Sequence, residues 1–224
     1  GKKMKIVNIL DTVQIDYVNN LIKDLEFIDG KKTAYGLAKK VKLNKHAATE
    51  GDKYQELVNY IGDILIKNQW IKKRYLPKSF SPPYINKYEV GDGYGRHFEN
   101  SHMSTESGSI RLDFNFTLMF SSISDYEGGE VIIEDGITTH EVKLDAGDLA
   151  IYPSSNMHSV LNIKKGERVA YVGWINSYLK DRFAFEVLNA YEDMHLALAK
   201  YNLSEEDKIS LSFVQNKLQY LVSK

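Results

Sequence analysis

The chain has 224 residues, enough for one large domain whose apolar core needs no disulfide or metal for stability. It contains no cysteine, which excludes disulfides, thiolate zinc sites and cysteine nucleophiles, so any metal must be held by His, Asp or Glu. Its 29 basic and 30 acidic residues give a formal net charge of −1, a balance that favours neither nucleic acid nor a membrane surface as partner. We therefore expect a site for a small molecule or a peptide.

The N-terminal stretch GKKMKIVNIL is basic, but the apolar run behind it is short and ends at Asp11. A secretory signal or a membrane span needs a longer apolar run, so we expect a cytoplasmic protein. The composition leaves the oligomeric state open, with a homodimer as one possibility.

The part of the chain ahead of Pro83 carries helical periodicity. Apolar residues within 12–27 recur at three- and four-residue spacing, which predicts an amphipathic helix that ends near Asp29-Gly30. A second such pattern covers about 50–68 and ends before the turn-like segment LPKSFSPP. We expect these N-terminal helices to support a sheet.

After Pro83 the apolar period changes to two, most clearly in IRLDFNFTLMF, residues 110–120. One face of this predicted strand is apolar, and the other, from Arg111 to Met119, is mainly polar. A polar face of this length is either an ordinary solvated face or the lining of a wet cavity. Glycine-containing turns then separate further short strand candidates, and so many short strands indicate a barrel or a jelly roll. These candidates are residues 130–134, 138–144, 148–152, 158–163 and 168–175.

Helical periodicity returns from Tyr178 to the end of the chain. It is interrupted near YNLSEED, where Ser204 followed by Asp207 is typical of a helix start. We predict a core domain with N-terminal support helices over residues 1–177 and a helical appendage over 178–224.

The stretch GYGRHFENSHM, residues 93–103, holds a candidate metal site. His97 and Glu99 are separated by one residue, so in an extended segment both side chains project to the same side. His158, at a predicted strand start, would add a second imidazole, and two imidazoles with one carboxylate suit a non-haem Fe(II) centre with open positions. On its own the His-x-Glu pattern is weak, because it occurs by chance in many proteins, and a polar loop without metal is the alternative explanation. His102 is a substitute ligand only if the loop curls.

Arg168 opens the apolar strand RVAYVGWI. Its guanidinium could bind the distal carboxylate of a 2-oxo diacid bidentately, or it could point to solvent at a hairpin tip. Trp174, on the same strand face, either walls a pocket or packs in the core.

The chain resembles the PKHD-type hydroxylases, bacterial and phage relatives of the prolyl 4-hydroxylase group of Fe(II)/2-oxoglutarate dioxygenases. The segments DYEGGE, VKLDAGDLAIYPSS and GERVA, the last followed by WI, occur in the family's order and spacing, and KKVKLNK resembles its Val-Lys-x-Asn segment. The resemblance is strong over about residues 30–177 and looser in the tail. It implies a mainly β double-stranded β-helix, that is, a jelly roll with flanking helices.

The resemblance also implies a site. His97 and His158 correspond to the family's metal histidines. Glu99 stands where the family normally has aspartate, and because other branches of the superfamily use glutamate there, it is the implied third ligand. Arg168 corresponds to the arginine that binds 2-oxoglutarate, and the strand residues Tyr88 and Thr117 are candidate hydrogen-bond partners of this cosubstrate.

The implied cofactors are Fe(II), 2-oxoglutarate and O₂, with ascorbate as a further candidate. The implied reaction is hydroxylation of an aliphatic C–H, in a prolyl or other peptidyl residue, with succinate and CO₂ as coproducts. Two alternatives stay open: a non-catalytic jelly roll that binds metal or ligand, and an oxygenase of a free amino acid or small metabolite. The polar segment 101–109 has the composition of a loop that could cover the site.

Overall fold

The structure is a computed structural model that describes residues 6–34 and 36–223, so the basic segment 1–5 lies outside the described residues. A short 3₁₀ helix covers Gly30–Thr33. The helices are α1 (Thr12–Ile22), α2 (Gly36–Val41), α3 (Asp52–Lys67), α4 (Gln69–Tyr75), α5 (Arg182–Leu198) and α6 (Glu205–Val222). The strands are β1 (Ile6–Asn8), β2 (Phe27–Asp29), β3 (Lys42–Leu43), β4 (Lys45–Ala47), β5 (Pro77–Phe80), β6 (Tyr84–Tyr88), β7 (Gly93–His97), β8 (His102–Thr105), β9 (Gly108–Arg111), β10 (Phe114–Met119), β11 (Tyr126–Glu127), β12 (Val131–Glu134), β13 (Thr139–Val142), β14 (Asp148–Pro153), β15 (Met157–Val160), β16 (Lys165–Gly166) and β17 (Arg168–Ser177).

Two antiparallel sheets form the jelly roll that the sequence predicts. The larger sheet runs in the order β1-β14-β10-β17-β6-β4-β2, and the smaller in the order β13-β12-β15-β7-β3. Neighbours in these orders are mostly distant in sequence, as expected where strands alternate between two sheets. The prediction of a mainly β fold with flanking helices is confirmed.

The first predicted helix ends earlier than expected. It begins with a capping box between Asp11 and Gln14, but α1 ends at Ile22 rather than at 27. The residues beyond, Phe27–Asp29, form β2 and pair with β4, so strand pairing outweighs the helical periodicity there. The pattern over 50–68 forms α3, and Asn68 then caps a further helix, α4, that periodicity did not reveal.

The predicted strand over 110–120 is divided. Its first part belongs to β9, which pairs with β8, and its second part is β10, which pairs with β14 and β17. The segment 101–109, predicted as a loop, therefore lies largely in the β8–β9 hairpin. The break falls at Leu112 and Asp113, where the chain leaves the hairpin and enters the larger sheet.

All six residues of β10 are buried. Asn115 and Thr117, on the polar face, line a cavity, whereas Arg111 is exposed on the separate strand β9. The polar face of β10 is therefore the lining of a cavity and not a solvated surface.

The described residues group into two compact units. The first comprises Gly1–Ile61 and Phe80–Ile175, so far as these are described, and contains the jelly roll. The second comprises Gly62–Ser79 and Asn176–Lys224 within the same limits. The predicted division between residues 177 and 178 stays a prediction.

Within the second unit, a buried arginine joins α4 to α5. Arg74 Nη1 lies 3.2 Å from Asn189 Oδ1 and 2.9 Å from Asp193 Oδ1, and Asn189 Nδ2 donates to the Arg74 carbonyl. Ser204 caps α6 by accepting from the Asp207 amide, as predicted. Over the described part of the chain, no helix combines the length and apolar character needed to cross a membrane.

Candidate active site

Adjacent strands of the smaller sheet bring the three predicted metal ligands together. His97 ends β7 and lies directly opposite His158 of β15. Glu99 Oε1 is 3.2 Å from His158 Nε2 and 3.8 Å from His97 Nε2. The three donor atoms lie within 4.8 Å of one another, so a single ion could contact all of them.

Both imidazoles are oriented by backbone carbonyls. His97 Nδ1 is 2.7 Å from the Gly95 oxygen, and His158 Nδ1 is 2.9 Å from the Asn156 oxygen. Because a carbonyl can only accept, each Nδ1 must carry the proton and each Nε2 is left free to bind a metal. Two such imidazoles with one carboxylate make a donor set that fits Fe(II).

The Glu99 carboxylate is held as an anion. Its side chain is 20% exposed, and it accepts a 3.2 Å hydrogen bond from Asn115 Nδ2. Ser154 Oγ in turn donates to Asn115 Oδ1 at 2.8 Å and so fixes the amide orientation. Burial alone would raise the pKa of Glu99, but the adjacent imidazoles of His158 and His97, when protonated, lower it to about 2.

Two residues of this site were not among the predicted ones. Asn115 of β10 and Tyr152 of β14 lie opposite each other, are buried and line the cavity. The Tyr152 ring packs edge-on against the His158 ring, with 5.2 Å between the ring centroids. The alternating polarity of residues 110–120 indicates that Asn115 lies on the polar face. No sequence pattern indicates that Tyr152 lines the cavity, because its position depends on the register between β14 and β10.

The cavity lies between the two sheets and encloses, with its mouth, about 690 Å³. Its lining comprises Thr33, Lys42, Tyr84, Asn86, Tyr88, Tyr94, His97, Glu99, Asn115, Phe116, Thr117, Val131, Tyr152, His158, Val160, Arg168, Val172, Gly173 and Trp174.

Arg168 supplies a buried cation to this cavity. Its side chain is 2% exposed, which rules out the solvent-facing alternative. Its Nε donates to the Gly129 carbonyl at 3.1 Å, and its guanidinium lies 5.1 Å from the Tyr88 ring centre. Among residues 6–34 and 36–223, no carboxylate lies within 4.0 Å of this guanidinium. A buried charge without a partner is costly, so the arrangement fits an anionic ligand such as the distal carboxylate of 2-oxoglutarate.

The remaining candidates have different surroundings. Tyr88 lies opposite Arg168 in the sheet, and burial raises the pKa of its phenol while Arg168 lowers it. Thr117 is buried and lines the same cavity. Trp174 also lines it, in agreement with the pocket reading rather than the core reading. His102 is exposed, contacts Ser101 Oγ and is not part of the cluster of His97, Glu99 and His158.

Comparisons with known proteins agree with this chemistry. Residues 83–176 match the model of the 2OG-Fe(II) oxygenase superfamily. A PKHD-type hydroxylase of Aliarcobacter butzleri is 36% identical over 222 residues, covering 96% of this chain and 96% of the relative.

Two solved structures share the fold. One is a prolyl hydroxylase from Trichoplax adhaerens in complex with a hypoxia inducible factor oxygen degradation domain peptide fragment, with a TM-score of 0.56, 18% identity and coverage of 78% of this chain and 83% of that one. The other is HygX from Streptomyces hygroscopicus with nickel, 2-oxoglutarate and hygromycin B, with a TM-score of 0.54, 11% identity and coverage of 77% and 82%. At these identities the likeness concerns the fold alone, and it confirms the predicted jelly roll.

The family is established by the full-length relative, because more than a third of the residues are identical across nearly the whole of both chains. The superfamily match covers every candidate ligand and Arg168. The chain belongs to the PKHD-type hydroxylases of the 2OG-Fe(II) oxygenase superfamily and is a dioxygenase that uses Fe(II), 2-oxoglutarate and O₂.

Proposed function

We propose that this dioxygenase hydroxylates an aliphatic C–H bond of a substrate bound in the jelly-roll cavity, and that His97, Glu99 and His158 hold the iron. The observation that carries the proposal is the approach of their three donor atoms to within 4.8 Å at the cavity wall. Iron held by these three residues would supply the redox chemistry by which O₂ and 2-oxoglutarate yield the hydroxylated product, succinate and CO₂.

Arg168 binds the distal carboxylate of 2-oxoglutarate. The Gly129 carbonyl holds Nε, so the terminal nitrogens stay available for a bidentate contact. Tyr88, beside the guanidinium, donates a hydrogen bond from its phenol to the same carboxylate. Thr117 supplies a further hydroxyl from β10, the strand next to β17.

Asn115 positions the carboxylate ligand. It donates to Glu99 while Ser154 anchors its amide oxygen, so the Glu99 side chain is oriented before a metal binds. The apolar side chains Val131, Val160 and Val172 line the same cavity and limit the access of water to it.

The substrate proposal starts from a prolyl or other peptidyl residue, because the Trichoplax enzyme of the same fold holds a peptide fragment. HygX, with hygromycin B, is the corresponding example for a small molecule. The non-catalytic alternative loses its support, since the chain belongs to a family of hydroxylases. A cytoplasmic location, the use of ascorbate and a homodimer stay predictions.

The test measures succinate formed from 2-oxoglutarate under Fe(II) and O₂, together with Fe(II) bound at equilibrium. His158→Ala should abolish turnover and weaken Fe(II) binding, because one of three ligands is lost. Arg168→Met should raise the KM for 2-oxoglutarate roughly tenfold or more while iron still binds, since a charged hydrogen bond is removed. His102→Ala, an exposed histidine from the same region, is the matched control. Full iron binding and turnover in His158→Ala would refute the ligand assignment.

A further inference from the structure

A second buried cation, Lys42, lies at the cavity and has no role in the reaction described above. Lys42 starts β3, the edge strand of the smaller sheet, and is 5% exposed. Its Nζ donates to Thr33 Oγ1 at 2.9 Å. Within the described parts of the chain, no carboxylate lies within 4.0 Å of Nζ. An ammonium has three donors, and one hydroxyl partner leaves the charge uncompensated.

The burial of the Lys42 ammonium changes its pKa. Burial lowers the pKa of Lys42 to about 8, although the charges of Glu99 and Asp29 act to raise it. At neutral pH most molecules therefore carry a positive charge at this point of the cavity. A fold without a use for that charge would be better served by an apolar side chain of the same length.

Lys42 lies on the side of the cavity that carries His97. Its Nζ is 5.5 Å from the centre of the Tyr94 ring, and that ring stacks on His97 with 3.6 Å between centroids. Nζ also lies 6.0 Å from the centre of the Tyr84 ring, on the facing sheet. A ligand group bound to Lys42 is thus close to the proposed iron site.

Lys42 and Arg168 lie beside different residues of the same strand, so they are placed for different ligand groups. Arg168 lies beside Tyr88, and Lys42 lies beside Tyr84, four positions earlier on the same face of β6. Four strand residues span about 13 Å. The terminal carboxylate carbons of 2-oxoglutarate are about 5 Å apart. Lys42 is therefore available to a ligand group other than the carboxylate held at Arg168, and we assign it to the primary substrate.

Asn86 adds a group of complementary chemistry. It lies between Tyr84 and Tyr88 on the same face of β6, lines the cavity and is 7% exposed. Its buried Oδ1 has no hydrogen-bond partner among the described residues. Such an acceptor is satisfied by an N–H of a ligand.

We propose that Lys42 determines substrate class by binding a carboxylate of the primary substrate, while Asn86 accepts a hydrogen bond from an N–H next to that carboxylate. The ligand chemistry is an α-amino or α-amido carboxylate, present in a free amino acid, an N-acylated amino acid or the C-terminal residue of a peptide. This inference rests on the proposed function, because it names the substrate of the same site.

The test uses matched pairs of probes: free and N-acetylated amino acids and short peptides, each as the free carboxylate and as the primary carboxamide. Binding is measured by calorimetry to the Mn(II) and 2-oxoglutarate complex without O₂, and turnover by substrate-stimulated succinate with Fe(II). Carboxylates should bind roughly ten- to a hundredfold more tightly than their carboxamides. Preference for free amino acids over peptides, or the reverse, distinguishes the sources of the carboxylate.

Three variants separate a binding role from a structural one. Lys42→Met should remove the preference for the carboxylate, Lys42→Arg should restore part of it, and Lys40→Met, an exposed lysine two residues earlier, should keep all of it. The thermal unfolding midpoint of Lys42→Met should not fall, because methionine fills a similar volume and a buried charge is removed. A lysine needed only for folding would give a lower midpoint.

Several results would overturn the inference: equal binding of carboxylates and carboxamides, no binding of any carboxylate probe, or a loss of 2-oxoglutarate affinity in Lys42→Met as large as that in Arg168→Met. These results are distinguishable from failure of the proposed function. That failure would be seen in the wild-type protein and in His158→Ala, through iron binding and 2-oxoglutarate turnover.

Discussion

Glu99 has one methylene more than an aspartate would have at this position, and its contacts require that length. Its carboxylate lies 3.2 Å from His158 Nε2 and 3.8 Å from His97 Nε2, and Asn115 donates to the same oxygen. On an unchanged backbone, an aspartate carboxylate would end about 1.5 Å short of these contacts. The chain is therefore built around glutamate.

We predict that Glu99→Asp weakens Fe(II) binding roughly tenfold or more, because the shorter carboxylate cannot meet both imidazoles and Asn115 together. Anaerobic titration with Fe(II) measures the effect. Glu106→Asp makes the same change in the exposed turn of the β8–β9 hairpin and should bind iron like the wild-type protein. Equal affinities for all three proteins would contradict the prediction.

At the residue scale, the sequence was informative wherever the spacing along one strand sufficed. His97 and Glu99 lie two positions apart, so an extended backbone alone brings them to one side. Lys42 and Tyr152 could not be found in that way. Their positions depend on which residue lies opposite, Tyr94 for Lys42 and Asn115 for Tyr152, and periodicity does not determine register.

At the scale of elements, the turn before β12 controls the position of Arg168. Gly129 has φ +69°, and a Cβ there would lie 2.8 Å from Arg168 Cδ and 2.7 Å from Ile163 Cδ1. Its carbonyl also accepts the Arg168 Nε–H. The second glycine of DYEGGE thus permits the buried arginine to pass close to the turn.

We predict that Gly129→Ala raises the Kd for 2-oxoglutarate roughly tenfold or more by displacing Arg168. Gly136→Ala is the matched control, because Gly136 has φ +90° and a Cβ there meets no atom within 4 Å. Both variants bear a backbone strain of about 1 kcal/mol, but only the first should lose cosubstrate affinity. Calorimetry with 2-oxoglutarate decides between them, and equal affinities would refute the proposed positioning.

The sequence predicts which segments are helices and which are strands better than it predicts where each element ends. The short strands after Pro83 and the start of α6 at Ser204 follow from alternation and capping. The end of α1 and the break between β9 and β10 do not, because the pairing of Phe27–Asp29 with β4, and of β9 with β8, determines where each element ends.

At the scale of the molecule, the two compact units should respond differently to ligands. All residues that line the cavity belong to the first unit. We predict that Mn(II) with 2-oxoglutarate slows amide hydrogen exchange in β7, β10, β15 and β17 but leaves α5 and α6 unchanged. At a hundredfold excess over the Kd, linkage stabilises the ligand-binding unit by about 2.7 kcal/mol. Equal protection of α5 and α6 would contradict an effect confined to the first unit.

The fold class could be predicted because many short strands and a family resemblance lead to the same architecture. The grouping of residues 62–79 with the C-terminal helices could not, because it depends on contacts between distant segments such as Arg74 with Asn189. No local pattern of charge or hydrophobicity encodes that pairing.

The superfamily match begins at residue 83, whereas Lys42 lies on a two-residue strand upstream of it. The iron ligands and Arg168 thus fall within one continuous stretch, and the residue that we propose to select the substrate falls outside it. A substitution at Lys42 therefore leaves the proposed iron ligands and Arg168 unchanged. Replacing Lys42 is accordingly the change that we expect to alter substrate choice while iron and 2-oxoglutarate still bind.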